Sequence, residues 1–183
     1  IHRNANRLLQ LINDTIRLSE LDAVHMEIVT EKLDVYELAQ NCVDTLQVKA
    51  DKMEVTIRLA GEPCILETSR EMINELLYNL CDNAIRYNKK GGRVLVLVGE
   101  NEYKEKYIEV KDNGIGIPME YQERVFERFY RVDKSRSKET GGTGLGLAIV
   151  KHIIVQLHAR LEMDSEEGKG TMMRIVFAKK LEK

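Results

Sequence analysis

A chain of 183 residues, 43% hydrophobic and 32% charged, is long enough for one packed domain plus a helical appendage and has the balance of a soluble globular protein. Its net charge of −2 gives no reason to expect a nucleic-acid surface. The longest apolar runs, such as Val94 to Val98, are strand-length and far short of a membrane span.

The chain opens in mid-helix without a methionine or a signal peptide, so it reads as a piece of a longer protein whose membrane segment, if any, lies upstream. From Ile1 to about Leu21, apolar residues at helical spacing (Leu8, Leu9, Leu11, Ile12, Ile16, Leu18) cover about half of a helical wheel. So wide a face suits a bundle helix, and nothing else in the chain obviously supplies the neighbours. Residues 22–33 read as a connection with a short strand over Glu27 to Thr30. Asp34 with Glu37 forms a capping box, opening a helix striped by Val35, Leu38, Ala39, Cys42, Leu46 and Ala50. Val55, Ile57 and Leu59 alternate with polar residues as a half-buried strand, broken at Gly61 and Pro63. Thr68 and Glu71 form a second capping box before a helix to about Tyr87, with Ile73, Leu76, Leu77, Leu80 and Ala84 facing the core. Arg93–Gly99 and Tyr107–Asp112 read as a meander, Leu145–Leu157 as an apolar helix, and Arg160–Asp164 with Thr171–Ala178 as a closing hairpin. Between them, Asn113–Thr143 has little periodicity and four of the twelve glycines, a length without regular structure that is usually functional or disordered. Helices and strands mix without strict βαβ alternation, which points to α+β, with helices on one face of a mostly antiparallel sheet. The three cysteines, Cys42, Cys64 and Cys81, stand far apart with no CxxC spacing; they read as free, mostly buried thiols of a reducing compartment.

Three clusters depart from the core pattern. Glu75, Asn79 and Asn83 are spaced four apart on one helix face. Asn disfavours helix interiors because its amide competes for the backbone, and an amide oxygen can ligate Mg²⁺; a solvated polar face is the other reading. Asp112 to Pro118, DNGIGIP, places a carboxylate at a strand end beside two glycines. A carboxylate there can accept hydrogen bonds from a ligand amine, although DNG is also ordinary turn chemistry. Gly141 to Lys151, GGTGLGLAIVK, runs a glycine-rich loop into a helix, where exposed amides and the positive helix end make an anion site. It is neither a Walker A loop nor GxGxxG.

Together and in this order, the clusters resemble the boxes of sensor histidine kinases of two-component systems, whose catalytic domains are GHKL ATPases. NLCDNAIRY resembles the N box, DNGIGIP the G1 box, RVFERFYRVDKSRS the F box and GGTGLGLAIVK the G2 box. The first helix and LSELDA resemble the end of the dimerisation and phosphotransfer domain, which implies a boundary near residues 24 and 25: 1–24 dimerisation helix, 25–183 ATP-binding domain. The implied fold is a two-layer α/β sandwich, and the implied cofactors are ATP and Mg²⁺. Asn83 would bind the metal, Arg86 would lie near the phosphates and Tyr87 would line the pocket. Asp112 would receive the adenine amino group, with Gly116 making room and Gly114 and Ile117 beside it. Phe126 and Phe129 would anchor a lid and Arg131 would approach the γ-phosphate. Gly142, Thr143, Gly144, Leu145 and Gly146 would hold the phosphates, with Thr171 on the adenine side. Asn79 and Arg131 are the implied catalytic positions, since ATPases of this fold carry a glutamate base where Asn79 stands, and an amide cannot take water's proton.

The resemblance further implies histidine phosphorylation on the parent's own dimerisation helices, relay to a response-regulator receiver domain, and a cytoplasmic location in a membrane-anchored parent. No nucleic-acid partner is implied. The acceptor motif itself is missing: His2, His25, His152 and His158 all lack its acidic and proline context. A GHKL-fold ATPase or a non-catalytic nucleotide-sensing module is the alternative.

Overall fold

A computed structural model describes residues 2–22, 28–132 and 142–178. Helix α1 (His2–Asp22) precedes β1 (Glu31–Asp34), α2 (Val35–Lys52), β2 (Thr56–Gly61), β3 (Ile65–Thr68) and α3 (Arg70–Arg86). Then follow β4 (Arg93–Glu100), β5 (Lys106–Asp112), two 3₁₀ turns (Met119–Tyr121 and Arg124–Phe126), α4 (Gly146–Gln156), β6 (Ala159–Glu166) and β7 (Gly170–Phe177).

Five strands form one sheet in the order β2-β4-β5-β7-β6, antiparallel except for the parallel β2–β4 pair. Helices α2, α3 and α4 cover one face, which makes the expected two-layer α+β architecture. The layer interface follows from periodicity. Every second residue of β4 (Val94, Val96, Val98) is buried, and α3 meets that face with Met72, Ile73, Leu76, Leu77 and Ile85, each at most 1% exposed. Burying one such side chain contributes about 1.5–3 kcal/mol. Ile149 and Ile153 of α4 and Ile108 and Ile175 of β5 and β7 complete this layer.

Three local expectations need correction. The short early strand lies at Glu31–Asp34, four residues later than read; residues 28–30 are irregular, and Glu27 falls outside the described residues. Its partner β3 has no counterpart in the sequence reading, and pairing with it sets the register, Leu33 opposite Leu66. The cap of α3 is Ser69, whose Oγ accepts from Met72 N, while Thr68 is buried at the end of β3. The stripe on α2 buries Val43 and leaves Cys42 only half-buried. Asp34 does cap α2: its Oδ1 accepts from Tyr36 N at 3.0 Å and from Cys64 N at 2.9 Å, so one carboxylate starts the helix and fixes the β2–β3 connection. The three cysteines are free thiols, as expected.

Helix α1 finds a neighbour within the chain after all. It packs on α4 through Leu18, which is 2% exposed, while Leu8, Leu9, Ile12 and Ile16 remain 47–59% exposed. Among the described residues, no helix is long and apolar enough to cross a membrane.

Candidate nucleotide site

A cavity of about 600 Å³ opens between α3, the G1-like loop after β5 and the loop entering α4. Pockets of 300–1,000 Å³ suit small-molecule ligands. At one end lies Asp112, the last residue of β5. Its Oδ1 accepts from Gly114 N at 2.7 Å, so the turn aims the carboxylate at the cavity. Burial raises its pKa above the ordinary carboxylate value, against the opposing pull of the Gly114 and Thr171 amides. Thr171 is anchored by a 2.8 Å hydroxyl contact with Ser165.

The loop after Asp112 is clamped between two elements. Ile115 N donates to Tyr87 O at the end of α3 (3.1 Å), and Gly168 N donates to Ile115 O (2.7 Å). Ile117 N donates to Ser165 Oγ (2.8 Å). At Gly116, φ is +65°, and a Cβ would lie 1.9 Å from Glu166 O. Glycine is demanded there by the close approach of the β6–β7 turn, a requirement separate from any room beside an adenine ring.

The other end is cationic and rich in amides. Helix α4 begins at Gly146 with no side-chain cap, so its first N–H groups face outward at the positive helix end. Arg86 and Arg131 flank Gly142: its Cβ would stand 3.5 Å from Arg86 Cδ and 3.6 Å from Arg131 Nη2. Arg131 Nη1 donates to Gly142 O, and Arg86 Nη2 donates to Asp82 Oδ2 at 2.6 Å. Asn79 Nδ2 donates to Glu75 O at 2.9 Å, which turns its Oδ1 toward Gly146, where a Cβ would come within 2.8 Å of it. Helices α3 and α4 approach so closely here that Gly146 admits no side chain without displacing Asn79. Asn83 lies one turn on, its Nδ2 3.7 Å from the same point.

Of the sequence-predicted residues, Asn79, Asn83, Arg86, Tyr87, Asp112, Gly116, Ile117, Arg131, Gly142, Thr143, Gly144, Gly146 and Thr171 line the cavity. Gly114, Phe129 and Leu145 do not. Leu145 is fully buried in the core. Phe129, 60% exposed, adopts φ +63°, and its N–H donates to Gly144 O at 2.9 Å. With Leu145 it lines a small cleft against Thr15, Leu18 and Ser19 of α1. Residues 133–141, which include the end of the F-box-like run and Gly141, lie outside the described residues.

Sequence reasoning missed the contribution of α1. Gln10 and Asp14 line the cavity, and Asp14 Oδ2 accepts from Thr143 Oγ1 at 2.6 Å, while that hydroxyl accepts from Leu145 N at 3.3 Å. Arg17 Nε pairs with Glu75 at 2.8 Å and Nη2 with Glu71 at 3.1 Å. Burial lifts the Glu75 carboxyl above its ordinary range, and Arg17 pulls it back only in part. These polar residues on α1 read as a solvated face because their partners are remote in sequence. The pairing of Lys49 with Asp82, 33 positions apart, was missed for the same reason.

A carboxylate facing an amide-rich helix start and two arginines across one cavity is the arrangement a nucleotide needs. Residues 68–181 match the family described as histidine kinase-, DNA gyrase B- and HSP90-like ATPases. The chain belongs to that family. ATP is therefore its nucleotide. Within the family the chain is similar to sensor histidine kinases: it is 38% identical over 167 residues to sensor histidine kinase WalK of Bacillus subtilis, covering 90% of this chain and 27% of that protein. The WalK of Staphylococcus haemolyticus is 34% identical over 92% of this chain and 28% of its own length. The chain thus spans about a quarter of the length of these relatives. Among solved structures, the mycobacterial sensor histidine kinase MprB superposes with a TM-score of 0.70 at 26% identity, covering 81% of this chain and 97% of that one. The Acinetobacter baumannii histidine kinase AdeS, at 24% identity and a TM-score of 0.78 over 95% of this chain and 79% of its own, shares the fold. The chain is thus an ATP-binding domain of that family, similar in sequence to part of the sensor histidine kinases.

Proposed function

We propose that the chain transfers the γ-phosphoryl group of ATP to a histidine on the dimerisation helices of its parent, for relay to a response-regulator receiver domain. Residues 1–24 would be the second of those helices and 25–183 the catalytic domain, the cytoplasmic part of a membrane-anchored homodimer. The observation that carries this reading is Asn79. At the cavity wall beside the start of α4 it presents an amide held by Glu75 O. An amide cannot abstract a proton from water, so ATP is kept for a better-positioned acceptor, which disfavours a hydrolytic ATPase.

In this reading Asp112 accepts the adenine amino group, and the amides entering α4 with Arg86 and Arg131 neutralise the phosphates. The donor set also fits Mg²⁺. Among the described residues no group of three or more His, Cys, Asp or Glu could hold a metal by itself. The amide of Asn83 in the cavity suits a hard cation that takes most of its ligands from phosphates and water. When bound, Mg²⁺ would neutralise charge on the transferring phosphoryl group. The residues of the chain bind, orient and exclude water.

The test is to incubate the chain with labelled ATP, Mg²⁺ and a separately supplied acceptor helix of the parent. Acid-labile label is expected on the supplied histidine, slowly, because the tethered effective concentration is lost, and none on the chain itself. Phosphate release at the same rate with and without the acceptor helix, and no labelled acceptor, would establish the ATPase reading instead.

A further inference from the structure

Lys49 belongs to none of the motif segments. It comes from the last turn of α2, yet it lines the nucleotide cavity together with Asp82 and Arg86 of α3. Its Nζ is ion-paired with Asp82 Oδ1, and the other oxygen of the same carboxylate accepts from Arg86 Nη2 at 2.6 Å. Asp82 is 8% exposed. A carboxylate that deep must be paired, but one cation is enough for that, and Arg86 supplies it from one turn away on the same helix. The second cation is brought in from another helix, and its side chain stays 34% exposed at the cavity. The three side chains carry a net charge of +1 on the wall where Arg86 runs beside Gly142 at the loop entering α4.

A purely structural ion pair would gain little from that arrangement. A partly exposed lysine contributes little to stability, whereas a polyphosphate entering the cavity meets two cations held within one carboxylate of each other. An ammonium group has three donors, so Lys49 can keep one on Asp82 and give another to a phosphate oxygen. From this we infer that Lys49 is a phosphate-binding residue of the nucleotide site, contributed by α2. The inference rests on the nucleotide reading given above.

The experiment is calorimetric titration of the chain with ATP and, separately, with adenosine, which lacks phosphates. Lys49→Met and Lys49→Gln should each weaken ATP binding about tenfold, equivalent to ~1.4 kcal/mol, and leave adenosine binding unchanged. Lys49→Arg should keep most of the ATP affinity, since either side chain neutralises phosphate. The dependence of ATP affinity on salt should flatten in the Met and Gln variants, because one screened charge has gone. Unchanged ATP affinity in both neutral variants overturns the assignment. So does a proportional loss of ATP and adenosine affinity, which would mark Lys49 as structural. A wild-type chain that binds neither ligand overturns the nucleotide reading, and Lys49 with it. Where the wild type binds both ligands, either of those two overturning results in the variants counts against Lys49 alone.

Discussion

Replacing Gly116 by alanine tests how the loop after β5 is held. Two costs follow from the geometry. The backbone at 116 has φ +65°, a region that costs an L-residue roughly 1–2 kcal/mol. The added methyl would also lie 1.9 Å from Glu166 O, and that oxygen belongs to backbone that cannot rotate away as a side-chain tip can. Relief requires moving the loop off the β6–β7 turn, which strains or breaks the Gly168 N to Ile115 O bond of 2.7 Å and the Ile117 N to Ser165 Oγ bond of 2.8 Å. Overpacking of this kind costs about 1–3 kcal/mol, so the total is roughly 2–5 kcal/mol. Urea unfolding should show that loss as a lower midpoint with an unchanged slope. Adenosine affinity should fall as well, because the carboxylate of Asp112 is aimed by the turn leading into this loop. An alanine variant with the stability of the wild type would refute the argument, since neither the strain nor the contact could then exist as described.

Two further outcomes concern titration. The raised pKa of Asp112 comes from burial, so its carboxylate should begin to protonate above the ordinary value of 3.8 as pH falls. Adenosine affinity should weaken through that range, by about ten- to a hundredfold for the loss of a charged acceptor worth ~1.5–3 kcal/mol. Asp112→Asn should bind weakly at every pH, and a pH profile for the wild type as flat as the variant's would remove Asp112 from the site. The second outcome concerns Arg17→Ala, which strips Glu75 of its partner and should lift an already raised carboxyl further. A folded-state pKa above the unfolded one means that stability falls as pH rises between the two values. The variant should therefore lose about 1–2 kcal/mol near neutrality, discounted for partial exposure, and recover much of it below the unfolded glutamate value of about 4.3. An equal deficit at both pH values would place the effect in packing.

The sequence was most legible where periodicity and local chemistry agree. The core stripe of α3, the alternation of Val55, Ile57 and Leu59 and the cap at Asp34 follow from spacings of three, four and two, and the structure realises each of them. Thirteen of the positions read as site residues from the motifs converge on one cavity, because glycines, asparagines and a strand-end aspartate are poor choices for core packing and have few other reasons to be there. What stayed hidden depends on contacts between remote segments. β1 is four residues long, and only its pairing with β3 makes it a strand. Leu145, read as the start of the apolar helix among residues that would hold the phosphates, has its side chain in the core because the chain dips into the α4 packing layer just before the helix begins. Phe129, read as a lid anchor, lies against α1, with its positive-φ backbone fixed by the bond to Gly144 O. No local pattern announces such a turn.

The most consequential hidden contact is the one between α1 and the loop entering α4. Thr143 donates its hydroxyl to Asp14 and accepts the amide of Leu145, so the carboxylate of α1 is wired to a backbone group of the loop that flanks the cavity. Arg17 is meanwhile fixed to Glu75, whose carbonyl holds Asn79. Two residues one helical turn apart on α1 therefore reach both walls of the phosphate end, one through the loop and one through α3. The apolar half of the docking is thin, centred on buried Leu18, while Leu8, Leu9, Ile12 and Ile16 face outward. Among the described residues, buried Leu18 and half-buried Leu11 supply the apolar side of this docking. Asp14 with Arg17 supplies the polar side at the cavity rim, so each half of the helix face is used where α1 meets the site.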